Sequence, residues 1–231
     1  MFKNNQKKMV PPASAALFTI AEPMSPISEQ FKTLRTNIQF SNLDNKIKTI
    51  VVTSSGPSEG KSTTAANLAV VFAQTGLKTI LVDADLRRPT VHMTFDLGNT
   101  TGLSSLLSVR RLSLLDVTQA TDVPNLDVMT SGPKSPNPSE LLSSERMRKV
   151  IQLLGSKYDV VIFDMPPIVS VTDAQILSSQ VDGVLLSVKE GHTDKRAVVK
   201  SVDLLRNVGA NVLGAVYIGK QSDAAYGYYY N

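Results

Sequence analysis

Lys61 and Ser62 end the run Ser55-Gly56-Pro57-Ser58-Glu59-Gly60-Lys61-Ser62, and Asp83, Asp85 and Asp164 stand at or just beyond the ends of two apolar runs further along. A glycine-rich loop that opens a helix turns backbone N–H groups toward an anion, and the positive end of the helix adds to the attraction. In such a loop Lys61 reaches the β- and γ-phosphates of a nucleotide, the Ser62 hydroxyl is a ligand for Mg²⁺, and Gly60 lets backbone approach phosphate oxygen. Gly56, Pro57, Ser58, Glu59 and Thr63 complete the expected phosphate wall. Ser55 stands where the strict pattern has glycine, with Gly56 one position later, and a left-handed conformation at Ser55 would cost about 1 kcal/mol or more. Mg²⁺ takes oxygen ligands and keeps several of its waters, which suits carboxylates such as Asp83, Asp85 and Asp164.

The surrounding pattern says which elements hold these residues. Apolar runs at Lys48 to Thr53, Thr79 to Asp83, Asp159 to Asp164, Gly183 to Val188 and Asn211 to Tyr217 read as strands, with a further one at Leu126 to Met129. Runs such as Val160-Val161-Ile162-Phe163 are continuously apolar, as in strands covered by helices on both faces. Helices are expected at Lys61 to Gln74, closed by Gly76, then Leu103 to Leu107, Ser139 to Leu154, Asp173 to Ser179 and Lys195 to Asn207. The alternation predicts an α/β fold, a P-loop three-layer α/β/α sandwich with a mainly parallel central sheet. Ligands of such sheets bind beyond the carboxyl ends of the strands, so the loop, Asp83 and Asp164 are expected on one rim.

The ends of the chain read differently. Residues 1–24 carry prolines at 11, 12 and 23 and are expected to be a flexible arm; the apolar patch between them is about nine residues long, far short of the roughly 20 that span a bilayer. Ile27, Phe31, Leu34 and Ile38 recur at helical spacing behind Ser25 and Pro26, so residues 25–41 form an amphipathic helix ahead of a core domain at 42–220. Residues 221–231 form a tail in which Tyr226, Tyr228, Tyr229 and Tyr230 crowd the terminus; ending in Asn after a Gly-Tyr run, it has little to pack on and is expected to be mobile and accessible. The chain has no cysteine, which excludes disulfide and thiolate-metal chemistry and agrees with a cytoplasmic setting. A net charge of +4 spread along 231 residues argues against nucleic acid as a partner.

Taken together, the P-loop, the Asp83-Ala84-Asp85-Leu86-Arg87 motif, the Asp164-Met165-Pro166-Pro167 motif, the early helix and the tyrosine tail resemble the bacterial tyrosine kinases of capsular and exopolysaccharide systems. The resemblance is to the form whose kinase is separate from its membrane adaptor. It implies that Lys61 and Ser62 hold ATP and Mg²⁺, and that Asp83 and Asp85 supply a carboxylate to the metal shell and the residue nearest the incoming tyrosine hydroxyl. Asp164 is the third acidic position. Tyr226, Tyr228, Tyr229 and Tyr230 become the phosphoacceptors. Glu29, Lys32 and Arg35 match a Glu-x2-Arg-x2-Arg motif that packs subunits into a ring, with Lys32 in place of an arginine and so without its planar fork. Many relatives end their last strand in an asparagine that reads the base; Ile218 and Gly219 stand there here. The implied partners are a membrane adaptor that recruits the kinase to the inner face of the plasma membrane, further copies of the chain, and a cognate tyrosine phosphatase. Two alternatives share the motifs: a partition-type ATPase that passes phosphate to water, and an ATP-binding scaffold without turnover. Against the first stand Gly56, where those ATPases carry a signature lysine, and the tail.

Overall fold

The computed structural model describes residues 16–41 and 46–219. Its elements in chain order are α1 (Phe18–Ala21), α2 (Pro26–Phe40), β1 (Thr49–Ser54), α3 (Lys61–Ala73), β2 (Thr79–Asp83), α4 (Val91–Thr94), α5 (Leu103–Ser108), a 3-10 turn (Leu114–Asp116), β3 (Gln119–Ala120), β4 (Leu126–Met129), α6 (Pro138–Ser143), α7 (Glu145–Lys157), β5 (Val160–Asp164), α8 (Asp173–Ser178), β6 (Gly183–Lys189), α9 (Lys195–Asn207) and β7 (Val212–Ile218). The strands lie in one sheet in the order β3-β4-β2-β5-β1-β6-β7. Every neighbouring pair is parallel except β3 with β4.

Side chains alternate across each strand, so both sheet faces carry an apolar layer. Ile50 and Val52 of β1, Leu81 of β2 and Ile162 of β5 face one core with Leu68, Val71 and Phe72 of α3. Val51, Ile80, Val82, Val161 and Phe163 face the other, filled by Leu103, Met147, Leu154, Leu177 and Leu205 from α5, α7, α8 and α9. That two-sided burial is why the central strands read as unbroken apolar runs. Helix α3 is buried from Thr64 to Ala73 because Phe31, Leu34 and Ile38 of α2 cover its outer side.

Three features depart from the sequence reading. The helix expected from Ser139 to Leu154 is two helices, because Ser144 takes extended backbone and its hydroxyl caps α7 by accepting from the Met147 N–H at 3.2 Å. The second half of the expected arm is a helical turn seated on α3: Thr19 donates through both its N–H and its hydroxyl to Asn67 Oδ1 at 3.0 Å. Residues 1–15 lie outside the described part. The two-residue strand β3 adds an antiparallel edge too short to leave an alternating pattern.

Candidate functional site

Strand β1 ends at Ser54 and the chain turns through the loop into α3, which begins at Lys61 itself. Ser55 does not carry the left-handed conformation that would have strained it; that conformation falls on Ser58, φ 61°, and Gly60, φ 80°. Left-handed residues punctuating a turn are the kind of backbone that gathers successive N–H groups on one side. The loop is braced from within. Glu59 is buried and accepts from the Ser55 N–H at 2.9 Å, and the Ser54 hydroxyl donates to the Gly56 carbonyl at 2.7 Å. Gly56 faces this brace, since a Cβ there would sit 3.1 Å from Glu59 Oε1. Ser55 is held from outside by the Ser201 hydroxyl of α9 at 2.9 Å. Ser62 and Thr63 fill the first turn of α3, and Pro57 and Ser58 form the exposed crest.

The carboxylates reach the same rim. β2 and β5 pair so that Asp83 stands opposite Asp164 at the ends of both strands. Lys61 Nζ lies 3.0 Å from Asp85 Oδ2 and 3.4 Å from Asp164 Oδ1, and 3.2 Å from the Ser62 hydroxyl. Asp85, rather than Asp83, is thus the nearer partner of the lysine. Asp83 is fully buried and accepts through Oδ2 from the N–H groups of Thr90 and Val91 at 3.1 and 3.0 Å, where α4 begins. Burial, followed by the charge of Asp164, pushes the Asp83 carboxyl up to about 8. Burial likewise raises Asp164, against the pull of Lys61. Burial alone would lower the Lys61 ammonium, but Asp164 and Asp85 more than offset it and hold it above the usual lysine range.

In this group of three carboxyls around one ammonium, two buried oxygens, Asp83 Oδ1 and Asp164 Oδ2, lack a hydrogen-bond partner. Such atoms fit a hydrated cation. Among the described residues no three acidic or imidazole side chains close on one point as a direct cage, so these carboxylates could hold a cation only with water completing its shell.

Against this geometry, the protein matches the AAA domain family model over residues 47–209. It is 48% identical to the tyrosine-protein kinase YwqD of Bacillus subtilis, over 92% of this chain and 90% of that one. The chain belongs to the bacterial protein-tyrosine kinases. Solved structures agree with that placement. The chimerical protein CapA2B2 superposes with a TM-score of 0.85 at 42% identity, covering 90% of each chain. The kinase domain of the Escherichia coli tyrosine kinase ETK does so with 0.85 at 31% identity, covering 98% of this chain and 89% of that one.

Of the other positions expected to matter in this kinase, Glu29, Lys32 and Arg35 all lie on α2 but do different things. Lys32 and Glu29 pair on the surface at 2.6 Å, whereas Arg35 turns inward and donates to the Val71 carbonyl of α3 at 3.1 Å. Tyr226, Tyr228, Tyr229 and Tyr230 lie outside the described residues. Sequence reasoning missed Lys189, the last residue of β6, and His192, just beyond it, which touch the crest of the loop: Lys189 Nζ donates to the Ser58 carbonyl at 3.4 Å, and His192 Nε2 lies 3.1 Å from the Pro57 carbonyl. The rule that sites gather at the carboxyl ends of strands applies to β6 as well as β2 and β5, and would have pointed to them.

Ile218, at the end of β7, presses on the loop from the same side, so that a Cβ on Gly60 would run into its side chain. Gly60→Ala therefore combines a left-handed residue with that contact. The backbone strain of about 1–2 kcal/mol should weaken binding of a fluorescent ADP analogue roughly 5- to 20-fold in a titration. Unchanged affinity would mean that the loop tolerates another conformation at residue 60.

Proposed function

We propose that this kinase transfers the γ-phosphoryl group of ATP, with Mg²⁺, to Tyr226, Tyr228, Tyr229 and Tyr230 on a neighbouring subunit, and so regulates capsular or exopolysaccharide synthesis or export. The observation that carries this reading is Lys61 held between Asp85 and Asp164 at the mouth of a phosphate-binding loop, in a chain ending in a tyrosine cluster.

Lys61 and the loop N–H groups bind and orient the phosphates. Ser62, with the nearby carboxylates, would hold Mg²⁺, which when bound would supply charge neutralisation for the transferred group. The tyrosine oxygen forms a bond to the γ-phosphorus as the bond to the β–γ bridging oxygen breaks, through a loose transition state in which positioning and charge neutralisation carry most of the rate. A phenol with a pKa near 10 enters protonated, and Asp83 takes its proton late in the step. In the nucleotide-free protein the Asp83 carboxyl holds its own proton, so it becomes an acceptor only once the charge of bound Mg-ATP has drawn that proton off. Buried Asp164 and Asp85 hold Lys61 and would help to hold the metal.

The subunit contact is assigned to α2. Exposed Glu29 and half-buried Lys32 are placed to meet a partner copy, and Arg35, anchored on α3, fixes the helix that presents them. Among the described residues no helix is long and apolar enough to cross a membrane. A cytoplasmic kinase recruited to the membrane by the cytoplasmic segment of an adaptor, and reset by a tyrosine phosphatase, fits that observation.

Phosphosite mapping after incubation with Mg-ATP, with and without an adaptor peptide, tests the reading. Phosphate is expected on Tyr226 to Tyr230. Phosphate released to water beside an unmodified tail under both conditions would favour the partition-type ATPase. Phosphorylation adds about −1.5 to −2 charge per tyrosine, so repulsion should loosen the ring. Light scattering after size exclusion should give a lower mass for phosphorylated protein than after phosphatase treatment, and equal masses would refute the switch.

A further inference from the structure

Beyond the loop and its carboxylates, the most tightly built charged cluster on this rim joins Arg87, Asp173 and Ser139. Arg87 follows Asp85 by two residues, Asp173 opens α8 after β5, and Ser139 lies on α6 after β4. The Arg87 guanidinium grips the fully buried Asp173 carboxylate with two parallel bonds, Nε to Oδ2 at 2.8 Å and Nη2 to Oδ1 at 3.0 Å. Ser139 completes it, donating to Asp173 Oδ1 at 2.7 Å and accepting from Arg87 Nη2 at 3.1 Å. A fork-to-fork contact of this kind fixes direction as well as distance.

The same arginine also holds Asp85. The N–H groups of Arg87 and Arg88 donate to Asp85 Oδ1 at 3.3 and 3.0 Å, which leaves Oδ2 turned to Lys61. The backbone of Arg87 therefore orients the carboxylate, while its side chain ties that turn to the connection leaving β5, the strand that ends in Asp164. Lys61 bridges Asp85 and Asp164 on one side. Arg87 and Asp173 bridge the two loops on the other.

We propose that Arg87 is a positioning residue of the phosphoryl-transfer site, setting the separation of Asp85 from Asp164 through its paired bonds to Asp173. The proposal rests on the phosphoryl-transfer reading above, but not on whether tyrosine or water is the acceptor. Lysine keeps the charge and loses the fork, so Arg87→Lys should relax the turn without emptying the pocket.

The test compares wild type, Arg87→Lys, Asp173→Asn and Ser139→Ala, with active sites titrated. Turnover is counted as phosphotyrosine plus free phosphate. Arg87→Lys and Asp173→Asn should lower kcat roughly 10- to 100-fold while KM for ATP changes less than about 3-fold, the pattern of a misplaced group rather than lost binding. The Mg²⁺ concentration that half-saturates binding of a fluorescent ADP analogue should rise at least about 3-fold, a readout that needs no turnover. Ser139→Ala removes one hydroxyl and should move both quantities the same way by a smaller factor. It serves where the other variants do not fold. A lower melting temperature with unchanged kcat per titrated site and unchanged Mg²⁺ dependence would overturn the proposal and leave the cluster a purely structural clamp. Free phosphate from wild type beside an unmodified tail would instead sink the tyrosine-acceptor reading, with the comparison at Arg87 still decided by hydrolysis. If wild type turns over nothing, the Mg²⁺ titration decides it.

Discussion

Lys61→Met should abolish tail phosphorylation, with a loss of at least about 10²- to 10³-fold, and should also make the nucleotide-free protein less stable in a pH-dependent way. The first effect follows from removing the ammonium aimed at the transferring group, where a single such contact is commonly worth that factor. The second follows from what the lysine leaves behind. Asp85 and Asp164 lose their cation at 3.0 and 3.4 Å, and Asp83 loses one of the charges that hold its proton affinity down. Removing one partner from a buried pair costs about 3–5 kcal/mol while the remaining charges persist. The carboxylates escape part of that cost by binding protons. At pH 8 the variant should melt some 5–10 °C below wild type, given about 2–4 °C per kcal/mol for a domain of this size. Toward pH 5.5, as protons bind to Asp83 and to the raised Asp164 carboxyl, the gap should shrink. Thermal melts at the two pH values, without nucleotide or Mg²⁺, check this. A gap of constant size would mean that the carboxylates are not linked to Lys61 through their protons.

How much of this was legible beforehand depends on whether a feature is local in sequence. The strand Thr79–Asp83 and the helix Lys195–Asn207 run over the residues their patterns predicted, because unbroken apolar stretches and 3.6-residue periodicity are properties of the segment itself. The loop was legible for the same reason, as a glycine-rich turn between a strand and a helix. What spacing could not say is which carboxylate pairs with Lys61. Asp83 and Asp85 are two residues apart, and their division of labour is set by how the chain just after them turns back: the N–H groups of Thr90 and Val91 take Asp83, and the turn at Arg87 and Arg88 takes Asp85. The break at Ser144 was missed because a serine inside an amphipathic pattern reads as a helix residue until its hydroxyl is seen capping the next segment. Lys189 and His192 were missed because they act through the carbonyls of Ser58 and Pro57, more than a hundred residues away. Contacts of that kind are written in the sheet order, and adjacent β1 and β6 bring them together.

Asp83→Asn should separate binding from chemistry. The amide oxygen still accepts from Thr90 and Val91, so the start of α4 is kept and ADP-analogue affinity should stay within about 3-fold of wild type. Transfer to the tail should fall about 10²- to 10⁴-fold, the usual worth of a positioned proton acceptor. Stability should move opposite to that of Lys61→Met. In the folded, nucleotide-free protein the Asp83 carboxyl is raised to about 8, above its ordinary value of 3.8. The folded state therefore holds a proton that the unfolded chain releases. The stability that this proton represents is fully present below about pH 4 and is lost as pH rises toward 8 and beyond. Asparagine carries no such liability, so Asp83→Asn should melt above wild type by a few degrees at pH 8.5 and lose that advantage by pH 5. The two variants thus bracket wild type at high pH, Lys61→Met below and Asp83→Asn above, and both approach it in mild acid. Mg-ATP bound to wild type should in turn lower the Asp83 carboxyl and release a proton. Calorimetry in buffers of different ionisation enthalpy would detect that release, and it should vanish in Asp83→Asn. A variant that binds nucleotide normally, keeps its stability advantage and still phosphorylates the tail at the wild-type rate would show that Asp83 is a buried ionisable group with no part in the transfer.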